Sequence, residues 1–429
     1  MLNSREILRV QTLRREASVR PHSKRKTFGV VSTVFSFEFL FILFLFAGRY
    51  KADPRFEWVS VDLTALFFGS SVVAGFWVLW RRRFRARRKS VLLVWLALEF
   101  VGYVVASLAW TPGRVYAGQK AFYIATLTLW PLVACAFIIA SDRHRLHRFS
   151  VLLVVFSGWI AWESTLEFLR SGGQGFVYAL GGNYLGPGRV IGLGLLIVLA
   201  YMLFFARNLL EKIGAVVLIG WFLIVLFALG GRAPLLATAV AAFVPLVVGF
   251  RLSLSGRMTV RRYVVPLLVL VAASAAILVY LYGTGTVTVT ASRLRVLFTQ
   301  VVEHVPSKRV ELYRDALNSW TGKPFLGHGI GAFPLLEGSG DIRLYPHNLI
   351  LEILVELGLV GFVLFTVLVF VALKTLGTLS AIRNDPWRLL VLALFVNVFL
   401  NAMVTGDISD NRIVFGVLGL MTLPKMRSV

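Results

Sequence analysis

Apolar runs of ~20 residues recur along most of the 429-residue chain, and each is long enough to cross a hydrocarbon layer roughly 30 Å thick as an α-helix. Of all residues, 58% are hydrophobic. Strands of an outer-membrane barrel are shorter and alternate polar with apolar side chains, so continuous runs of this kind exclude a barrel. The sequence therefore predicts an all-α polytopic membrane protein.

Basic runs indicate how the spans are oriented. Residues 1–26 carry eight Lys or Arg residues, and RRRFRARRK at 81–89 carries seven. Basic clusters that flank spans stay in the cytoplasm. The net charge of +24 is therefore explained by topology, and no nucleic acid partner is expected. The first apolar run follows an Arg-rich leader without a small-residue cleavage site, so we expect it to be retained as a span.

About twelve transmembrane helices fit this pattern, with both termini in the cytoplasm. The predicted regions are a basic cytoplasmic tail (1–27), nine spans (28–282), an extracytoplasmic loop (283–346), three spans (347–424) and a cytoplasmic tail (425–429). The spans lie near 28–48, 59–80, 91–110, 121–140, 150–169, 189–206, 213–231, 233–250, 263–282, 347–373, 387–404 and 412–424.

The long loop at 283–346 is the extramembrane stretch with room to fold. Apolar residues at near-helical spacing predict short amphipathic helices at 292–305 and 307–320. A loop rich in Gly and Pro follows at 321–333. Its GHGIGAF segment has the glycine spacing of a phosphate loop but lacks the strand and the Lys-Ser/Thr pair of a nucleotide site, so no nucleotide cofactor is expected.

His347 stands where the long loop enters a span. A histidine at this boundary can accept a proton from a hydroxyl, or it can serve as an interfacial polar cap. Glu352 and Glu356 lie four residues apart within the same span, and carboxylates at such positions are functional candidates. They do not share a helix face with His347, so we expect no simple His–Glu pair, and a structural pairing with another helix is equally compatible.

Arginines near the same boundary form a candidate anion site. Arg189 and Arg232 fall where outer loops meet spans, and Arg309 and Arg314 lie on the helix before the Gly-rich loop. Guanidinium groups match phosphate oxygens and need no metal to do so. The alternative is that these side chains extend to lipid headgroups. Two aspartates in DISD at 407–410 have no Cys/His cluster or carboxylate cage beside them, so no metal cofactor is expected.

The motifs between 309 and 361 resemble those of the bacterial O-antigen ligase and polymerase superfamily. The superfamily signature is a histidine followed by Asn, Ser or Gln, then nine free positions and Gly-x-x-Gly. In this chain the signature corresponds to His347, Asn348, Gly358 and Gly361. Upstream, the turn pattern Pro-x-x-Gly-x-Gly-x-Gly-x-Phe is matched by Pro324, Gly327, Gly329, Gly331 and Phe333.

The resemblance implies metal-independent glycosyl transfer at the periplasmic face of the bacterial inner membrane. The donor would be a glycan on undecaprenyl diphosphate, with His347 as general base and with Arg189, Arg232 and Arg309 on the diphosphate. Members of the superfamily often have Ser before the arginine of the seventh span, whereas Gly231 precedes Arg232 here. Contacts with other polysaccharide assembly proteins are compatible with this role.

Several functions stay open at this stage. A ligase would transfer the glycan to lipid A core, and a polymerase would transfer it to a second lipid-linked glycan. One dominant outer segment with the full histidine motif favours the ligase. A flippase of lipid-linked glycans is a rival, although transporters place polar groups near the bilayer midplane and often have repeated halves. A non-catalytic scaffold is a third alternative, but it gives no reason for arginines around one pocket.

Overall fold

The computed structural model describes residues 36–172, 176–182, 184–252, 258–260 and 308–424, with a few single positions between 264 and 292. From Phe37 onward the described residues form one compact unit. Within them the architecture is helical except for one short antiparallel hairpin. In that hairpin Phe250–Leu252 (β1) pairs with Met258–Val260 (β2), so that Arg251 lies opposite Thr259.

Eight helical segments among the described residues are long and apolar enough to cross a membrane. In the segment Val115–Ile139, π-helical turns at Ile124–Thr128 and Cys135–Ile139 lie on either side of Pro131, which has no backbone N–H for the helical ladder. The helices are Phe37–Phe46 (α1), Leu63–Arg81 (α2), Arg88–Ala106 (α3), Val115–Ile139 (α4), Arg143–Arg170 (α5), Leu185–Phe204 (α6), Leu209–Ala228 (α7), Arg232–Ala242 (α8), Val244–Gly249 (α9), Lys308–Gly322 (α10), Phe333–Leu336 (α11), Leu349–Leu376 (α12), Leu379–Arg383 (α13), Pro386–Ala402 (α14) and Arg412–Leu420 (α15).

Side-chain caps explain where several of the long helices begin. The first N–H groups of a helix have no partner within the helix, and a polar side chain just before it can accept from them. Such caps precede α2, α5, α7, α12 and α14, and they are Asp62, Asp142, Asn208, Asn348 and Asp385. These five helices therefore begin directly after a residue whose side chain accepts from their first N–H groups.

Comparison with the predicted spans confirms the helical class. Eleven predicted spans fall mainly on described residues, and a helix lies in each of them. The amphipathic helix predicted at 307–320 is confirmed as α10. The span predicted at 263–282 falls largely outside the described residues, and so do the helix at 292–305 and the tail at 1–27. The count of twelve spans, their orientation and the regional boundaries stay predictions.

Helix α6 lies at the centre of the bundle and carries Arg189 in its first turns. It packs against α5, α7, α8 and α14, and most of its side chains are buried. Two glycines permit this close packing, because a side chain at Gly192 would overlap Thr238 of α8 and one at Gly194 would overlap Ser157 of α5. Arg189 is therefore anchored in a tightly packed helix.

Candidate active site

The two glycine motifs meet each other through their backbones. Helix α12 is interrupted at Gly358, where φ is 64° and ψ is −164°. The loop after α10 runs beside this interruption, and a side chain at either Gly327 or Gly358 would overlap the opposite backbone. Four backbone hydrogen bonds join this loop to α12: His328 N to Val355 O (3.0 Å), Gly329 N to Glu356 O (2.8 Å), Leu359 N to Pro324 O (2.8 Å) and Val360 N to Phe325 O (3.1 Å).

The same loop also packs against the start of α4 and against the residues that precede α4. A side chain at Gly329 would overlap Thr111, and one at Gly331 would come within 2.8 Å of the Cα of Ala117. The Thr111 hydroxyl donates to the carbonyl of Ile330 at 2.8 Å. The glycines that resemble a phosphate loop are therefore used for close contact between backbones.

Asp341 fixes the rest of the loop to the N-terminus of α4. Its carboxylate accepts hydrogen bonds from the backbone N–H groups of Arg114 (2.9 Å), Val115 (2.7 Å) and Tyr116 (3.0 Å). The bonds from Val115 and Arg114 are the main reason that the pKa of Asp341 lies below its ordinary value. A residue more than 220 positions away thus caps this helix.

His347 lies immediately before α12 in an uncommon backbone conformation. Its φ of 58° is in the left-handed region, which side chains other than glycine adopt at a cost of ~1–2 kcal/mol. Its ring makes an edge contact with Tyr345, with 4.6 Å between the centroids. Within the described part of the chain, its buried Nδ1 has no hydrogen-bond partner. The imidazole is therefore packed in place, with one ring nitrogen that makes no hydrogen bond to the described residues.

Asn348 explains how this conformation is maintained. Its Oδ1 accepts from the backbone N–H groups of Ile350 (3.0 Å) and Leu351 (3.1 Å), which caps α12. The side chain also lies close to the hydroxyl of Tyr313 on α10, which donates to the carbonyl of Met403 at 3.3 Å. The capped start of α12 packs against the amphipathic helix α10, and His347 directly precedes the cap.

The electrostatic environment of His347 favours its neutral form. Burial, followed by the positive charges of Arg309 and Arg189, lowers the pKa of His347 below its ordinary value. A neutral imidazole can accept a proton, whereas an imidazolium cannot. At neutral pH the residue is therefore in the protonation state that a general base requires.

The structure brings two of the four predicted arginines into the electrostatic range of His347. Arg189 is 9% exposed, and its Nε has no hydrogen-bond partner among the described residues. Arg309 is exposed on α10 and acts on His347 through its charge. Arg232 is half-buried at the first position of α8, and Arg314 is exposed on α10. The roles of these last two in anion binding stay predictions.

Sequence reasoning missed two further arginines beside Arg189. Arg49 packs against Gly186 of α6, since a side chain there would lie 2.9 Å from its Nη1. Arg412 begins α15, and its Nη2 lies close to Gly48. Asp410 is within electrostatic range of all three arginines. Both missed residues fall where an apolar run meets a loop, which is the same signal that indicated Arg189.

Glu352 and Glu356 pair with Lys120 of α4. The Lys120 ammonium lies 2.5 Å from Oε1 of Glu352 and 2.8 Å from both carboxylate oxygens of Glu356, and all three side chains are fully buried. Neither glutamate forms a pair with His347, as the helix geometry predicted. The structural pairing with another helix is confirmed, and the partner is Lys120.

The aspartates at 407–410 are engaged in contacts within the protein. Asp407 accepts from the hydroxyls of Tyr116 (3.1 Å) and Ser409 (2.6 Å). Arg343 bridges Asp407 and Asp410, and its guanidinium lies over the Tyr345 ring. Among the residues that the structure describes, no group of three or more His, Cys, Asp or Glu side chains is placed to hold a metal ion.

Comparisons with known proteins agree with the motif pattern. Residues 216–366 match the family model described as O-antigen ligase, a range that includes Arg232, Arg309 and the whole segment from His347 to Gly361. A protein of Rickettsia conorii named "Putative polysaccharide ligase" is 30% identical over 112 residues, which cover 23% of this chain and 26% of that protein. A protein of the same name from Rickettsia bellii is 40% identical over 67 residues, or 16% of each chain.

A third protein with this name, from Rickettsia felis, is 28% identical over 112 residues, which cover 23% of this chain and 27% of its own length. The chain thus spans about a quarter of the length of the first relatives that it matches. The family match, the relatives and the multiple membrane-spanning helices agree with one another. Through its segment at 216–366, this multi-pass membrane protein is similar to the O-antigen ligase family and to the polysaccharide ligases of Rickettsia.

Proposed function

We propose that the protein transfers a glycan from undecaprenyl diphosphate to an acceptor hydroxyl, with lipid A core as the acceptor. The observation that carries this proposal is the juxtaposition of His347 and Arg189. Nδ1 of His347 and Nε of Arg189 are both buried, and neither has a hydrogen-bond partner among the described residues. A base beside a cation is the arrangement that removal of a hydroxyl proton and departure of a diphosphate require.

In the proposed step the acceptor oxygen forms a bond to the anomeric carbon of the glycan. The bond from that carbon to the diphosphate oxygen breaks, and its electron pair leaves with undecaprenyl diphosphate. The proton of the acceptor hydroxyl passes to the imidazole of His347. Arg189 lies in electrostatic range of His347 and can neutralise charge that develops on the leaving group. Arg232, Arg309 and Arg314 are proposed to contribute to the same anion site.

The proposed location is the periplasmic face of the bacterial inner membrane. This placement rests on the basic run at 81–89, which is predicted to lie in the cytoplasm and stands at the end of α2 opposite Asp62. Asp62 in turn lies in electrostatic range of Arg412, beside the candidate site. A lipid-linked donor can reach such a site from the bilayer.

The test uses the purified full chain in proteoliposomes with an undecaprenyl-diphosphate glycan. Lipid A core and a second copy of the donor serve as alternative acceptors, and products are separated by size. Glycan joined to lipid A core supports the ligase, whereas a ladder of longer lipid-linked chains identifies a polymerase. Donor that crosses the bilayer without transfer would identify a flippase, and the proposal would be wrong.

Variants at His347 separate catalysis from folding. His347→Gly removes the imidazole and also relieves the left-handed backbone, so this variant should be at least as stable as wild type and should lose transfer. His347→Ala should lose transfer with the strain retained. Transfer at the wild-type level by either variant would refute the role of the base.

Arginine variants test the anion site. Arg189→Lys and Arg232→Lys keep the charge but lose the planar fork, so both should slow transfer. Arg170→Lys is the matched control, because Arg170 lies in the last turn of α5 and its side chain is 74% exposed. Unchanged kinetics in Arg189→Lys would argue against diphosphate binding at that residue.

A further inference from the structure

A second basic site lies at the end of the bundle remote from His347. Helix α2 has 19 residues, so its two ends are about 28 Å apart. At its C-terminal end a cavity of about 600 Å³ opens between the α2–α3 turn and the α4–α5 turn. Its charged lining consists of five arginines and one acid: Arg81, Arg82, Arg83, Arg85, Arg87 and Asp142.

Two of these arginines are fixed to the α4–α5 turn. The Arg82 guanidinium donates to the hydroxyl of Ser141 and lies 3.6 Å from Asp142. Arg87 donates to the carbonyl of Ser141 at 3.0 Å. One wall of the cavity is therefore organised before any ligand binds, which lowers the entropic cost of binding.

The single acid cannot neutralise the cavity. Asp142 caps α5 by accepting from the backbone N–H of His144 at 2.9 Å, and it already faces Arg82. Arg83 and Arg85 are exposed at the cavity, and within the described part of the chain neither faces a carboxylate. Arginines therefore outnumber acids in the cavity lining five to one, and Arg83 and Arg85 have no carboxylate partner among the described residues, which fits a multiply charged oxyanion.

The backbone of the turn directs these side chains. Arg83 and Phe84 have φ values of 52° and 51°, two successive left-handed residues that reverse the chain between α2 and α3. Such conformations are costly for residues other than glycine and persist where the surroundings require them. Positive charge alone is enough to orient membrane spans. The orientation of the spans therefore does not explain why the turn is strained or why the arginines line a cavity.

Exposed aromatic side chains adjoin the same turn. Trp80 is 58% exposed and Phe84 is 52% exposed, and the Phe84 ring lies 5.5 Å from that of Phe76. Aromatic residues concentrate where a span meets the headgroup layer. A ligand with a phosphate group and an adjoining apolar portion would contact both the arginines and this aromatic surface.

We propose that this cavity binds a phosphate group, presented by the headgroup of an anionic phospholipid. The Arg82 and Arg87 guanidinium groups form the fixed wall, and those of Arg83 and Arg85 complete the phosphate contacts. Binding at this end of the bundle requires neither His347 nor a glycan donor, so its failure and the failure of the proposed transfer are independent.

The experiment measures retained lipid on the full chain in detergent by native mass spectrometry. The protein is incubated with an equimolar mixture of phosphatidylglycerol and phosphatidylcholine, and inorganic pyrophosphate is added in a parallel series. Selective retention of phosphatidylglycerol that pyrophosphate displaces identifies the lipid as the source. Pyrophosphate bound without selective retention of phosphatidylglycerol would assign the site to a free phosphate compound and overturn the lipid proposal.

Variants of one basic run supply the matched comparison. Arg83→Gln/Arg85→Gln should reduce phosphatidylglycerol retention at least tenfold, and Arg83→Lys/Arg85→Lys should reduce it while charge and topology are kept. Arg88→Gln/Lys89→Gln removes the same charge from neighbouring positions that do not line the cavity, and it should retain the lipid. Equal losses in the pocket and control variants would mean that retention follows net charge, and the site would not exist.

Discussion

Lys120 holds two buried carboxylates, and its removal should destabilise the protein strongly. The side chains of Lys120, Glu352 and Glu356 are all fully buried, and the ammonium group lies within 2.8 Å of both acids. Lys120→Met keeps most of the volume and removes the only cation in direct contact with the two glutamates among the described residues. Two carboxylates would then face each other in an apolar surrounding.

The magnitude follows from the burial of this cluster. Removal of one partner from a buried ion pair costs about 3–5 kcal/mol, because the remaining charge keeps its desolvation cost without compensation. An exposed pair is worth ~0–1 kcal/mol. Lys51 and Asp62 form such a pair at 2.7 Å, with side chains 43% and 50% exposed, so Lys51→Met is the matched control. The two Lys→Met changes should therefore differ severalfold.

Stability is measured on the full chain in mild detergent, as tryptophan fluorescence against the fraction of a denaturing detergent. Lys120→Met/Glu352→Gln/Glu356→Gln should recover most of the loss, since neutral amides have no uncompensated charge. The single variant should also slow glycan transfer, because these glutamates lie in the first two turns of α12 after His347. If Lys120→Met and Lys51→Met unfold at the same detergent fraction, the cluster is not a buried ion pair.

Three further predictions concern the elements that hold His347. Arg309→Gln removes a positive charge that lowers the pKa of His347, and the pKa of His347 should therefore rise. The acidic limb of the pH profile of kcat/KM should move to higher pH as a result. An acidic limb that stays in place would contradict this prediction. Asp341→Ala removes three bonds to the start of α4 and should cost about 1 kcal/mol, seen as faster hydrogen exchange at 114–116. Gly358→Ala should abolish the yield of folded protein, because φ of Gly358 is positive and a Cβ there overlaps the facing loop. Gly220→Ala is the control, because a Cβ at Gly220 on α7 meets open space, and its yield should be normal. A normal yield of Gly358→Ala would disprove the backbone contact.

Hydrophobic runs were sufficient to predict the helices, because each span must bury a continuous apolar length in the bilayer. The role of Lys120 could not be found in this way. The apolar run predicts a span that begins at residue 121 and leaves Lys120 in the preceding loop, whereas α4 begins at Val115. Its partners lie more than 230 positions away, and no local pattern connects them.

The glycines of the candidate site also make contacts that the sequence pattern could not predict. The spacing from His347 to Gly361 resembles the superfamily signature, yet it does not reveal that Gly358 breaks α12. Nor does it reveal that Gly327 approaches this break, because the contact depends on backbone angles and on a separation of about thirty residues. Arg49 and Arg412 could be predicted from the sequence by the same signal as Arg189, because each lies at one end of an apolar run.

Helix α10 connects the charge and the geometry of His347. Arg309, Tyr313 and Ala316 follow one another at helical spacings of four and three, which places them on one face. Arg309 lowers the pKa of His347, Tyr313 lies close to the Asn348 cap, and Ala316 packs with Phe333 and Val355. A displacement of α10 would therefore alter the basicity and the position of the imidazole together, so a substrate that moved this helix would control both at once.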